Sequence, residues 1–113
     1  MTALAAAQRA ICERYAARYT PVRDDQLCAV SDGVDEGDAA QGVRYSAPEH
    51  MTGWYITTAR YNGDHRSLRV EHVAHLLERR PDIAPLLALP PGYRFDVNGT
   101  AVQAWRDPAV EAG

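Results

Sequence analysis

The stretch Thr52-Gly53-Trp54-Tyr55-Ile56-Thr57-Thr58 constrains the fold more tightly than any other part of the chain. It alternates: Trp54, Ile56 and Thr58 point one way, Tyr55 and Thr57 the other. It is rich in aromatic and β-branched residues, so it reads as a strand. A strand that carries Trp and Ile on one face needs an apolar layer over that face, and the rest of the chain must supply it. Gly53 suits a close approach of another backbone or a turn into the strand.

The other elements are placed around this strand. Residues 2–19 are Ala-rich, with no Gly or Pro, and read as a helix. Thr2 caps its start, and Thr20-Pro21 ends it because the residue before Pro is driven out of helical geometry. Leu4, Ala7, Ile11 and Tyr15 form a narrow stripe, which suits packing on a sheet edge. Residues 26–31 read as a buried strand and 42–46 as a second one, with Val43 and Tyr45 on a common face. Asn62-Gly63-Asp64 marks a turn. Val70, Val73, Ala74 and Leu77 recur at helical spacing, so a helix is predicted over 68–79 with Ser67 as N-cap. Asp82 starts a shorter helical segment, 83–87. Asn98-Gly99 between alternating runs predicts a hairpin with Tyr93, Phe95 and Val97 on the core face. In that register Val97 faces Thr100, Phe95 faces Val102 and Tyr93 faces Ala104. Trp105 falls on the polar face, covered there by the first helix or free to bind.

The predicted fold is therefore α+β: one small domain, an antiparallel sheet of about four or five strands with two main helices packed on it. Its 113 residues suffice for one core. Residues 1–24 hold the first helix and linker, 25–107 the core, and 108–113 a frayed tail.

Charge is unevenly distributed. Residues 24–49 carry seven acidic residues against Arg44 alone, within a chain of net charge −3. A nucleic-acid module shows a basic stripe, and none is present. No window approaches the roughly 20 apolar residues of a membrane span. Met1–Ala10 lacks the features of an export signal, so the expected location is the cytoplasm, with Cys12 and Cys28 as reduced thiols. The acids of Asp32–Asp38 do not follow calcium-loop spacing. They read instead as a solvated loop or an acidic surface that steers a basic partner. His65, His72 and His75, near Glu71 and Glu78, lack zinc-protease spacing. They support a small metal-dependent enzyme only as an alternative reading; a self-associating regulatory module is another. No phosphate loop, nucleophile elbow or Cys-x-x-Cys pair occurs, and neither a cofactor nor a resident metal is predicted.

Several short motifs recur in a familiar order. Leu27-Cys28-Ala29-Val30-Ser31-Asp32-Gly33 is followed by the acidic loop, then Gly42-Val43-Arg44-Tyr45-Ser46 and Gly53-Trp54-Tyr55-Ile56. Farther on comes Arg80-Pro81-Asp82-Ile83 through Leu89-Pro90-Pro91-Gly92-Tyr93-Arg94-Phe95. Over residues 26–107 this resembles the bacterial immunity protein 33 family. Thr52 stands where that pattern has Ser, and Ala59–Asp64 replaces acidic residues that often follow its Gly-Trp strand. The resemblance implies a non-enzymatic cytoplasmic protein that neutralises a cognate toxin by occluding it, and it supplies no catalytic residue. A basic toxin surface is the expected partner, with the oligomeric state left open. The predicted contact residues are Asp32, Asp35, Glu36, Asp38, Tyr61, Asp64 and Trp105, since interfaces favour aromatic anchors and complementary charge.

Overall fold

Trp54 is the centre of the core, 1% exposed, with its ring tilted against Phe95 at 5.1 Å between centroids. In the computed structural model, which describes residues 2–112, its strand is the third of six. The elements run α1 (Ala3–Arg14), β1 (Leu27–Val30), β2 (Ala40–Arg44), β3 (Met51–Thr58), β4 (Arg69–His72), α2 (Val73–Arg79), β5 (Tyr93–Asn98), β6 (Ala101–Arg106) and α3 (Pro108–Ala112). Short 3-10 turns span His65–Ser67 and Ala84–Leu86. The strands form one sheet in the order β4-β1-β3-β2-β5-β6.

The fold is α+β, as expected, but the sheet has six strands and is mixed: β1 and β3 run parallel. β2 returns the chain antiparallel on the far side of β3, so β1 and β3 meet without a hairpin between them. The sixth strand is β4. Residues 69–72 were expected to open the second helix, yet they pair with β1 from Leu27–His72 to Val30–Arg69. Strand pairing along a free sheet edge overrides the helical periodicity. The helix then starts only at Val73, with His72 rather than Ser67 at its N-cap. Of the expected face Val70, Val73, Ala74 and Leu77, Val73 is buried and Leu77 packs partly buried against the core, whereas Ala74 and Val70 are exposed and Leu76 is buried instead.

The alternation predicted for β3 holds. Trp54, Ile56 and Thr58 are buried on the covered face, while Tyr55 and Thr57 lie on the other. Gly53 has φ +86°, and a Cβ there would collide with the Tyr45 carbonyl. The β5–β6 hairpin forms with Tyr93, Phe95 and Val97 buried, but its pairs are Asn98–Ala101, Val97–Val102 and Phe95–Ala104. Gly99, at φ +62°, takes the first central position of the turn, a type II′ preference. The slip moves the pairing by two residues, so every side chain keeps its face.

The covering layer is mostly not helix. Residues 80–92 cross the sheet as an irregular strap that buries Ile83, Leu86, Leu87 and Leu89. Its backbone carbonyls would be costly to bury unpaired. Trp54 Nε1 donates to Leu87 O at 3.0 Å. Arg44, 5% exposed, donates to Leu89 O at 2.7 Å, Thr20 O at 2.8 Å and Thr52 O at 2.8 Å. Burial lowers the Arg44 pKa to about 10. This one guanidinium ties the N-terminal linker, β3 and the strap together.

α1 packs on the strap rather than on the sheet edge: Gln8 Nε2 donates to Ala84 O, and the Cys12 thiol to Ala88 O. The helix ends at Arg14, five residues before the expected stop, with Ala16 in the left-handed region at φ +53°. Ala gives no sequence warning at a position where glycine is usual. At the other end, residues 108–112 of the stretch expected to fray form α3, with Val110 buried, and residue 113 lies outside the described residues. Cys12 and Cys28 are free and buried.

Candidate functional site: the open face of the sheet

α1, α2 and the strap all cover one face of the sheet, and the opposite face is left open. One row of paired residues crosses it from edge to edge: Val70, Ala29, Tyr55, Val43, Arg94 and Trp105. Paired residues share a face, so the row fixes what the surface presents. Among the described residues, three large apolar side chains are exposed: Tyr45 at 37%, Val70 at 57% and Trp105 at 39%. All three lie on this face. Val70 and Trp105 end the row, and Tyr45 follows Val43 by two residues, just past the end of β2.

Between them is a groove of about 520 Å³, lined by Tyr45, Tyr55, Tyr61, His65, Leu68 and Arg94 among others. Tyr45 meets Tyr55 edge-on at 5.5 Å, and the His65 ring lies 6.4 Å from Tyr55. One wall is residues 45–48; the other is the turn region 61–68. That second wall is locally braced. Asn62 Oδ1 accepts from Asp64 N at 2.8 Å, and Asp64 Oδ1 accepts from Arg66 N at 3.0 Å. Arg66 holds the Asp64 carboxyl below its usual range. Arg94, shared by the groove and the recess beside Trp105, is itself fixed by Asp107 at 2.7 Å.

The acidic loop Asp32–Asp38 lies at the end of β1. Because β1 and β3 are parallel, this is also the end from which β3 runs on to Tyr61. Arg60 Nε donates to Asp38 at 2.8 Å and joins the loop to that turn. Arg69 Nη1 donates to Asp32 at 2.7 Å. Arg80, 3% exposed, donates to Val34 O and Asp38 O, both at 2.9 Å, and forks onto Asp82. Arginines from later in the chain thus offset much of the negative charge concentrated in residues 24–49. Glu36 is exposed.

Of the residues predicted as contacts, Tyr61 and Asp64 belong to the groove region and Trp105 to the open-face row. Asp32, Asp35, Glu36 and Asp38 stand together at one end of the sheet. Trp105 is not covered by α1, which lies against the strap. Tyr45, Tyr55 and Val70 were missed as surface anchors. The signal for Tyr55 was present, since it occupies the strand face opposite Trp54 and Ile56; for Tyr45 only a face shared with Val43 was predicted. Val70 was hidden by its assignment to a helix.

The alternative trio does not assemble. His65 lines the groove, His72 lies on the edge strand, and His75 faces Asp35 and Glu71 from α2. The strand at 69–72 breaks the helix that would have aligned His72 with His75. Cys28 is no nucleophile: burial, with Glu71 and Asp35 nearby, pushes its thiol pKa up to about 12.

Fold and surface together define a two-layer α+β domain with a grooved, uncovered sheet face. A family model described as the Imm33-like domain matches residues 7–107, and the chain belongs to that family. The match reaches into α1, beyond the residues 26–107 that carry the resemblance by motif. The family's name designates immunity proteins. No curated protein and no solved structure matches the chain. No helix among the described residues is long and apolar enough to cross a membrane.

Proposed function

We propose that this protein is a non-enzymatic immunity protein that neutralises a cognate bacterial toxin by occluding it, and that the open sheet face is the docking surface. One observation carries the reading: all the exposed large apolar side chains among the described residues lie on a single uncovered, grooved face. Apolar surface left exposed around a groove marks a partner site. Tyr and Trp are the side chains that most often anchor such interfaces. The acidic loop, with Asp32, Asp35, Glu36 and Asp38, stands at one end of the sheet, and its exposed Glu36 favours a partner with a basic surface. Tyr61, Asp64 and Trp105 complete the contact set. Family membership supports the immunity role, and a cytoplasmic site of action follows from it.

The test is capture of partners from lysate of the native host, using the full tagged chain beside a Tyr45→Asp/Trp105→Asp double variant. The expected result is a protein that inhibits growth when expressed alone, held by the wild type and lost by the variant. Circular dichroism checks that the variant is folded. A growth-inhibiting partner held equally by both would remove the open face from the interface. A captured set with no growth-inhibiting protein would count against the immunity role.

A further inference from the structure

We infer that Asp35, Glu71 and His75, outside the open face, form a site for one transition-metal dication of the zinc type. The three residues come from separate elements: the acidic loop, β4 and α2. One ligand atom from each lies within 4.8 Å of the others. His75 Nε2 is 3.5 Å from Asp35 Oδ2 and 3.8 Å from Glu71 Oε2. Ligands held about 2.0–2.1 Å from a tetrahedral zinc stand about 3.3 Å apart, so the two His75 contacts need to close by only a few tenths of an ångström.

Two acceptors of the cluster are unmatched. Asp35 Oδ1 and Glu71 Oε1 are buried and have no hydrogen-bond partner. Buried carboxylate oxygens are rarely left so, because an unmatched acceptor costs free energy. Arg69 does not complete the site. It donates from Nη1 to Asp32 at 2.7 Å and from Nη2 to Asp35 Oδ2 at 3.4 Å, which leaves Asp35 Oδ1 unmatched. The Cys28 thiol donates to the Glu71 backbone carbonyl, away from the carboxylate.

The donor set selects the class of ion. Calcium and magnesium want six or more oxygens, and magnesium insists on octahedral geometry. Two carboxylates and an imidazole suit zinc and its neighbours. Three protein ligands leave a fourth position for water. A bound ion joins the acidic loop to the β4–α2 junction.

The experiment uses the untagged full chain, stripped with chelator, dialysed and titrated with zinc chloride near neutral pH by calorimetry. The expected result is one equivalent bound with micromolar or tighter affinity. His75→Ala and Glu71→Gln should each weaken binding at least about tenfold. His72→Ala, three residues from His75 and outside the cluster, should leave it unchanged. His75 is partly exposed, so its variant keeps the measurement valid if Glu71→Gln fails to fold. The inference is overturned by the absence of saturable binding in the wild type. It is also overturned by binding that survives His75→Ala, or that His72→Ala weakens as much.

Discussion

The two faces of the sheet are made from the same strands and do opposite things. On the covered face Trp54, Ile56, Phe95 and Val97 are at most 2% exposed. The layer above them is pinned by side-chain bonds to its carbonyls from Trp54 and Arg44. On the open face, one residue along each strand, Tyr55, Val43 and Tyr45 border a groove. The motifs that carry the family resemblance divide along this line. Arg44, Gly53, Trp54 and the Pro81–Gly92 strap all serve the covered face or its closure. The same motifs also contribute Val43, Tyr45, Tyr55 and Arg94 to the open face, so the contrast teaches that a period of two lets one strand motif build the scaffold and present a surface at once.

Substitutions on the two faces should therefore separate stability from binding. The largest stability loss is expected for Trp54→Ala, about 3–5 kcal/mol, because it empties the core centre and leaves Leu87 O without its indole donor. Denaturant unfolding measures it. Gly53→Ala should cost about 1–3 kcal/mol, since φ is +86° and the obstructing atom is backbone, which cannot move aside cheaply.

Asp82 gives a smaller effect that appears with pH. Arg80 holds its carboxyl below the usual range. The folded pKa is thus lower than the unfolded one. Its contribution is present above the unfolded value and is lost as pH falls through the folded value. Asp82→Asn should be less stable than the wild type at neutral pH, and the two should converge in acid below about pH 4. Thermal unfolding across pH checks this.

The smallest stability change belongs to the open face. Trp105→Ala should stay within about 0.5 kcal/mol of wild type in unfolding experiments. The same variant should lose about 2 kcal/mol or more in affinity for the partner. A Trp105→Ala variant that unfolded as readily as Trp54→Ala would erase the distinction between the faces.

What could be read from sequence follows the same division. Alternation placed Trp54, Ile56, Phe95 and Val97 on the core face correctly, because a period of two survives even the hairpin's register slip. The parallel β1–β3 pair left no trace, since it depends on where β2 inserts. Val70 was misread because Val70, Val73 and Leu77 satisfy helical spacing, and only a free strand edge on β1 decides otherwise. The arginine partners of the acidic loop were also illegible: Arg60, Arg69 and Arg80 lie 22 to 46 residues away from the atoms they bind. For the candidate surface, Tyr61 and Trp105 were picked out as exposed aromatics, but the groove itself was not. A concavity made by two loops over a sheet has no local pattern.

The most direct measurement is hydroxyl-radical footprinting of the aromatic side chains, read by mass spectrometry, with and without the captured partner. Tyr45, Tyr55, Tyr61 and Trp105 report on the open face, and Tyr15 and Tyr19 report on the helix side. The expected result is that the partner shields the first four and leaves Tyr15 and Tyr19 unchanged. Shielding of Tyr15 and Tyr19, with Tyr45 and Trp105 still oxidised as in the free protein, would contradict the open face as the binding surface.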